Sequence, residues 1–199
     1  MLYIFIFILL LFLVIFGLIW IRKIQFDAIH QNFLDLEDHY GGKVYRGGFA
    51  VRPKYIGLYE EIKLSISISS EKKSERQSRR FYISVYLEAP SLINFTVMSS
   101  NWLNLEKNDM SQRHVKNIFE NNYLVEVSEK RVLSRLNLKK IEEVVQQMHP
   151  FAYVLISKKG LILERISTNL VEDTKFEKLD TLVKLLNNLG QIPLKTNKA

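Results

Sequence analysis

Apolar residues fall along this chain in three rhythms, and each rhythm predicts a different element. From Met1 to Ile21 the run is apolar throughout and carries no charged side chain, and it is closed by Arg22 and Lys23. At 1.5 Å of rise per residue such a helix is about 30 Å long, the thickness of a bilayer's hydrocarbon core. Next, Phe26, Ile29, Phe33 and Leu36 recur at three and four residues, with Asp27, Asp35, Glu37 and Asp38 on the other faces. That spacing predicts an amphipathic stalk helix, stopped by Gly41-Gly42. Nothing between Ile21 and Phe26 breaks a helix, so the stalk continues the apolar run and packs its stripe on the domain that follows.

The third rhythm is alternation. Ile62, Leu64, Ile66 and Ile68 alternate with Lys63, Ser65, Ser67 and Ser69; Phe81, Ile83, Val85 and Leu87 do the same within Arg80 to Glu88. Ile93, Phe95 and Val97 extend the pattern, and Tyr123, Val125 and Val127 repeat it. These are strands of an antiparallel sheet with one buried and one wet face. Gly47-Gly48 predicts a two-residue hairpin between Lys43–Arg46 and Phe49–Arg52, and Lys158-Lys159-Gly160 another between Phe151–Ser157 and Leu161–Ile166. Within 101–122, Trp102, Leu103 and Leu105 suggest a short buried turn, and Val115, Ile118 and Phe119 a short helix. Ser128 is placed to cap Glu129–Leu136, and Asn137 to cap a helix ending at Met148 before Pro150. Phe176, Leu179, Leu182, Val183 and Leu186 form one face of a final helix over Asp173–Leu189, ending at Gly190.

The expected fold class is α+β. A transmembrane helix (1–21) and a juxtamembrane stalk helix (22–40) precede one soluble domain (41–190), whose mostly antiparallel sheet is packed by C-terminal helices. A flexible tail (191–199) completes the chain. The apolar run reads as a retained anchor and not a cleaved signal, because no Lys or Arg precedes it, it is too long, and no small-residue cleavage pattern follows. Trp20 sits where an aromatic belt residue belongs. With Arg22 and Lys23 on its C-terminal side, the positive-inside rule puts the domain in the cytoplasm, so a single-pass protein of a cell's inner membrane is expected.

Charge changes the picture only slightly. The net charge of +7 belongs entirely to the segment after the anchor. Attraction to anionic lipid is the simplest use of that charge at a membrane; nucleic acid is disfavoured, because no aromatic residue is interleaved with the cations. The sequence has no cysteine, which fits a reducing compartment and a disulfide-free periplasmic domain equally.

The order of the segments "YGGKVYRGGF", "RRFYISVYLEA", "FENNYLVEVSEKRVLSRL" and "LILERI" resembles a group of uncharacterised bacterial single-pass membrane-anchored α+β domain proteins. The resemblance covers most of the chain and implies architecture alone. None of its motifs is catalytic, and no activity comes with it.

Candidate chemistry is sparse. His39 follows Asp35 by four residues and His30 follows Asp27 by three, which allows carboxylate–imidazole pairs on one helix; His114 and His149 stand apart. No HExxH or similar spacing provides a metal site, no GxSxG elbow provides a nucleophile, and the absence of cysteine excludes a thiolate. Gly41, Gly42, Gly47 and Gly48 lack the order of a phosphate loop and read as turn residues. Glu60-Glu61 and Glu142-Glu143 are adjacent, so their side chains point apart. No catalytic residue, metal ligand or cofactor is therefore assigned.

Two groups of residues suggest contacts. Arg22 and Lys23 at the anchor, with Lys72, Lys73, Arg76, Arg79 and Arg80 in and beside the polar loop Ser70–Ser78, are candidates for lipid head-group contact. Lys130, Arg131, Arg135, Lys139 and Lys140 are interleaved with Glu129, Glu142 and Glu143 and read as a solvated helix face. Tyr82 and Tyr86 share the face opposite the inward apolar set, a pattern suited to protein contact. The leading expectation is a non-catalytic interaction or scaffold domain held at the membrane. The alternatives are an enzyme acting on a membrane-associated substrate through His30, His39 and their carboxylates, or an anionic-lipid-binding module using the basic loop.

Overall fold

The computed structural model describes residues 2–48, 51–71, 80–103, 114–120 and 122–192. An N-terminal helix α1 (Leu2–Tyr40) leads into strands β1 (Lys43–Tyr45), β2 (Lys54–Tyr59), β3 (Ile62–Glu71), β4 (Arg80–Leu87) and β5 (Phe95–Ser99). The short helix α2 (Ser100–Leu103), strands β6 (His114–Ile118) and β7 (Tyr123–Val127), and helices α3 (Lys130–Arg135) and α4 (Leu138–Met148) follow. The hairpin β8 (Phe151–Ser157) and β9 (Gly160–Ser167) precedes α5 (Leu170–Asp173) and α6 (Phe176–Gly190). The strands form one antiparallel sheet in the order β1-β2-β3-β4-β9-β8-β5-β7-β6. The fold is α+β, as the alternation implies.

One face of the sheet is covered by helices. Leu64, Ile66, Ile83, Val85, Leu163, Val154 and Val125 point into a single core with Leu179, Val183 and Leu186 of α6 and Ile141, Val145 and Met148 of α4. Helix α1 lies over β1 and β2, α6 crosses β4 and β9, and α4 packs on α6. Removing these aliphatic side chains from water is the main stabilising term.

Helix α1 has two halves with opposite environments and no break between them. From Leu2 to Ile21 every large apolar side chain is exposed, and this is the one helix among the described residues long and apolar enough to cross a membrane. Beyond it, Phe26, Ile29, Phe33 and Leu36 are buried to 2% exposure or less. The stalk is thus a core helix of the domain. Gly41, at φ +67°, ends it in the left-handed conformation that glycine adopts without strain, and the Val44 N–H donates to Glu37 Oε2 at 2.9 Å.

Several elements differ from the sequence expectation. The partner of β1 is β2, which begins at Lys54, after Pro53, which has no N–H to donate; Phe49 and Ala50 of the expected strand Phe49–Arg52 lie outside the described residues. Strand β2 inverts the usual alternation, with Tyr55, Gly57 and Tyr59 inward and Ile56 and Leu58 exposed. Tyr55 folds along its own strand over Gly57, where a Cβ would stand 2.0 Å from the phenol oxygen. Its hydroxyl donates to the Gly41 carbonyl at 2.7 Å, tying the sheet to the end of α1. Val115 and Ile118 lie in a strand and not a helix, because Ile118 pairs with Tyr123 and the positive φ of Phe119 (51°) and Glu120 (52°) turns the chain back. The final helix is split: Thr174, fully buried, donates its hydroxyl to the Leu170 carbonyl at 2.7 Å, and Lys175 starts α6 anew. The Asn137 cap accepts from the Lys140 N–H, whereas α3 begins at Glu129 with no side-chain cap.

Candidate functional site

Helix α1 and the sheet register fix which end of the domain lies nearest the apolar segment. Strand β1 runs back along α1, with Val44 beside Glu37 and Arg46 ion-paired to Asp27, nearly three helical turns nearer the N-terminus. The Tyr45 end of β1 pairs with Lys54, which in turn pairs with Ser67 of β3. Strand β3 continues four residues further in the same direction, to Glu71 opposite Arg80. Four residues of strand extend about 13 Å at roughly 3.3 Å each. The β3–β4 end of the sheet therefore projects on the side from which the apolar half of α1 emerges.

Cations gather at this end. Lys23 Nζ donates to Asp27 Oδ2 at 2.6 Å and lies 5.6 Å from the Trp20 ring centre, while Arg46 grips the other oxygen of Asp27. The Lys23 and Arg46 hydrogen bonds hold the Asp27 carboxyl below its usual range. Arg52 Nη2 donates to Ser70 Oγ at 2.5 Å and lies 5.8 Å from the Phe81 ring centre. Of the candidate lipid contacts, Arg22 is exposed and Lys23 half-buried at the end of the apolar segment, and Arg80 is exposed at the start of β4. Lys72, Lys73, Arg76 and Arg79 lie outside the described residues, between Glu71 and Arg80.

The histidines do not assemble a site. His39 and Asp35 are both exposed; Nδ1 of His39 meets the Asp35 backbone carbonyl at 2.7 Å, and its ring stacks on Phe176 at 3.9 Å. Those contacts close the end of α1 onto α6 and leave no cleft between imidazole and carboxylate. His30 Nδ1 is buried without a hydrogen-bond partner among the described residues. His149 Nδ1 meets the Tyr123 hydroxyl at 2.7 Å, an anchor for the β7–α4 packing. Among the described residues no group of three or more His, Cys, Asp or Glu is placed to hold a metal ion.

A site the sequence does not reveal lies on the face opposite α1, α4 and α6, at the same end of the sheet. Ser69, Ser70 and Glu71 of β3, Tyr82 of β4, Ala152 and Tyr153 of β8, Glu164 of β9 and Trp102 of α2 line a cavity of about 190 Å³. Its geometry depends on a β-bulge. Phe151 pairs with Arg165, yet Tyr153 pairs with Glu164, so Ala152 is an extra residue in β8. Were the pairing regular from Phe151 onward, Tyr153 would fall opposite Leu163 and point into the core; with the bulge, it falls opposite Glu164 on the open face. Trp102 then packs on Tyr153, ring centres 5.6 Å apart. A larger recess at the opposite end, between Pro90–Ile93 and Gly190–Ile192, has no titratable side chain in its lining.

The cavity holds a carboxylate in an aromatic setting. Ser84 donates to Glu164 Oε2 at 2.8 Å, and Oε1 has no hydrogen-bond donor among the described residues. Burial pushes the Glu164 carboxyl above its ordinary range, and the Ser84 hydrogen bond only partly opposes it. Burial also raises the Tyr153 phenol, with the Glu164 charge adding to it. Tyr82, only 5% exposed, donates to Glu71 Oε2 at 3.2 Å; burial, and then the Glu71 charge, raises it, while Arg80 at the rim pulls the other way. Tyr82 and Tyr86 therefore differ: the first is a wall of the cavity, and the second is 36% exposed further along the strand. No known protein family, curated protein or solved structure matches this chain.

Proposed function

We propose that this chain is a single-pass, membrane-anchored, non-catalytic interaction domain, held in the cytoplasm against the inner face of a bacterial inner membrane. The observation that carries the reading is the division of α1. One continuous helix exposes an apolar half long enough for a bilayer and builds its other half into the core through Phe26, Ile29, Phe33 and Leu36. A domain that must range widely is served by a flexible tether; a helix shared between anchor and core instead presents one end of the sheet to the bilayer. Arg22 and Lys23, directly after the apolar segment, support the cytoplasmic side by the positive-inside rule. A second reading, contact with anionic lipid through the segment 72–80, is supported by the position of Glu71 and Arg80 at the end that projects toward the membrane.

The absence of cysteine makes the topology directly measurable. A single cysteine introduced as Lys158→Cys should resist a membrane-impermeant maleimide in intact cells and react after permeabilisation, and the protein should resist alkaline carbonate extraction. Labelling in intact cells would reverse the orientation, and extraction by carbonate would remove the anchor. Enzymatic turnover by the purified full-length chain that is abolished by one polar substitution would replace the interaction reading.

A further inference from the structure

We propose that the cavity between Glu164, Tyr82, Tyr153 and Trp102 receives a primary ammonium group, supplied by the ethanolamine head group of a membrane phospholipid. The inference deepens the membrane-anchored reading and rests on it for the source of the ligand, but not for the chemistry of the cavity.

Three features select that chemistry. Three of the lining residues, Tyr82, Trp102 and Tyr153, are aromatic, and aromatic rings attract cations through their negative π surfaces. Ser84 occupies Glu164 Oε2 and leaves Oε1 open to the cavity, where an alkylammonium can donate N–H groups to it. The volume of about 190 Å³ suits a small head group and excludes a folded partner. A quaternary ammonium fits the aromatic walls but has no N–H for Oε1, so the primary amine is preferred.

The surroundings select the source. An ethanolamine head group is a zwitterion with its phosphate next to the ammonium, and exposed Arg80 stands at the rim beside Tyr82. Glu71, paired in register with Arg80, closes the same rim. The register puts this end of β3 and β4 about 13 Å beyond the Ser67–Lys54 level, on the side where α1 leaves the domain. Glu164, opposite Ser84 and through it Ser67, forms the inner end of the cavity, and its Glu71–Arg80 rim is the part that reaches toward the head groups.

Trp102 forms one wall and is one of two tryptophans in the chain, so Trp20→Phe leaves it as the single fluorescent reporter. Full-length Trp20→Phe protein in detergent is titrated with short-chain phosphatidylethanolamine. The expected result is a saturable change in Trp102 emission, at least tenfold weaker for N-acetylated phosphatidylethanolamine, which has lost the ammonium charge and keeps the phosphate, and weaker for phosphatidylcholine. Glu164→Gln should weaken phosphatidylethanolamine at least tenfold while the melting temperature does not fall; Tyr153→Leu, which keeps an apolar wall, should weaken it severalfold.

An equal response to the N-acetylated lipid, or unchanged binding by folded Glu164→Gln, would overturn the ammonium site. Phosphatidylcholine binding as tightly as phosphatidylethanolamine would overturn the primary-amine assignment, and free ethanolamine saturating at the same concentration would overturn the lipid source. Because the titration is done in detergent, it stands apart from the carbonate extraction that tests the anchor.

Discussion

The two faces of the sheet obey different rules, although the same strands build both. The helix-covered face is filled by Leu64, Ile66, Ile83, Val85, Val154 and Leu163, each at 1% exposure or less. The open face carries Ser65, Ser67, Ser84, Ile162, Glu164 and Leu155 in half-buried positions. Stability resides on the first face, because tight aliphatic packing leaves no slack for substitution. The second face tolerates a raised carboxyl and an exposed tyrosine, which costs stability but leaves room for a ligand. What the molecule binds is therefore to be sought where its packing is poorest.

That contrast can be broken most forcefully from the buried side. Leu163→Ala should cost about 2–5 kcal/mol, whereas Ile162→Ala, its neighbour on the open face, should cost less than about 1 kcal/mol. Chemical denaturation of the full chain in detergent measures both, and equal losses would abolish the distinction between the faces. Tyr55→Phe comes next. It keeps the ring over Gly57 but removes the donor to the Gly41 carbonyl, at a cost of about 1 kcal/mol.

The open face should respond with the opposite sign. The folded-state pKa of Glu164 is raised, so the native state holds its proton to higher pH than the unfolded chain does. Ionisation then weakens the fold as pH rises through that value, and the cost disappears below the ordinary carboxylate range. Glu164→Gln should accordingly raise the melting temperature at pH 7 by a few degrees and match the parent near pH 4. The smallest effect is expected at Asp27, whose carboxyl is lowered by Lys23 and Arg46. Its contribution is present above the unfolded pKa and is lost as pH falls through the folded one. Asp27→Asn should melt slightly below the parent at neutral pH and coincide with it near pH 2, with salt shrinking the gap.

The same contrast explains what could be read in the chain. Strands β3 and β4 are legible because aliphatic and polar residues alternate on a face that is simply buried or simply wet. The stripe Phe26, Ile29, Phe33 and Leu36 is legible for the same reason. Strand β2 is hidden because its inward positions are Tyr55, Gly57 and Tyr59, a solution that works only once the phenol has the end of α1 to bond. Strand β6 is short and at the sheet edge, so Val115, Lys116 and Asn117 carry little alternation. The cavity is hidden more deeply. Glu164, Tyr82 and Trp102 have no fixed spacing, and one inserted residue, Ala152, decides which face Tyr153 takes. A periodic pattern records burial; it does not record a register shift.

The unbroken helix α1 has a mechanical consequence. A hydrophobic stretch of fixed length answers a thinner bilayer by tilting. In a protein whose anchor and domain are joined by a loose linker, that tilt is lost at the joint. Here Phe26, Ile29, Phe33 and Leu36 clamp the same helix into the core, so any tilt of its apolar half turns the whole sheet with it. Under the proposed anchoring, the angle at which the domain meets its surroundings follows the thickness of the bilayer.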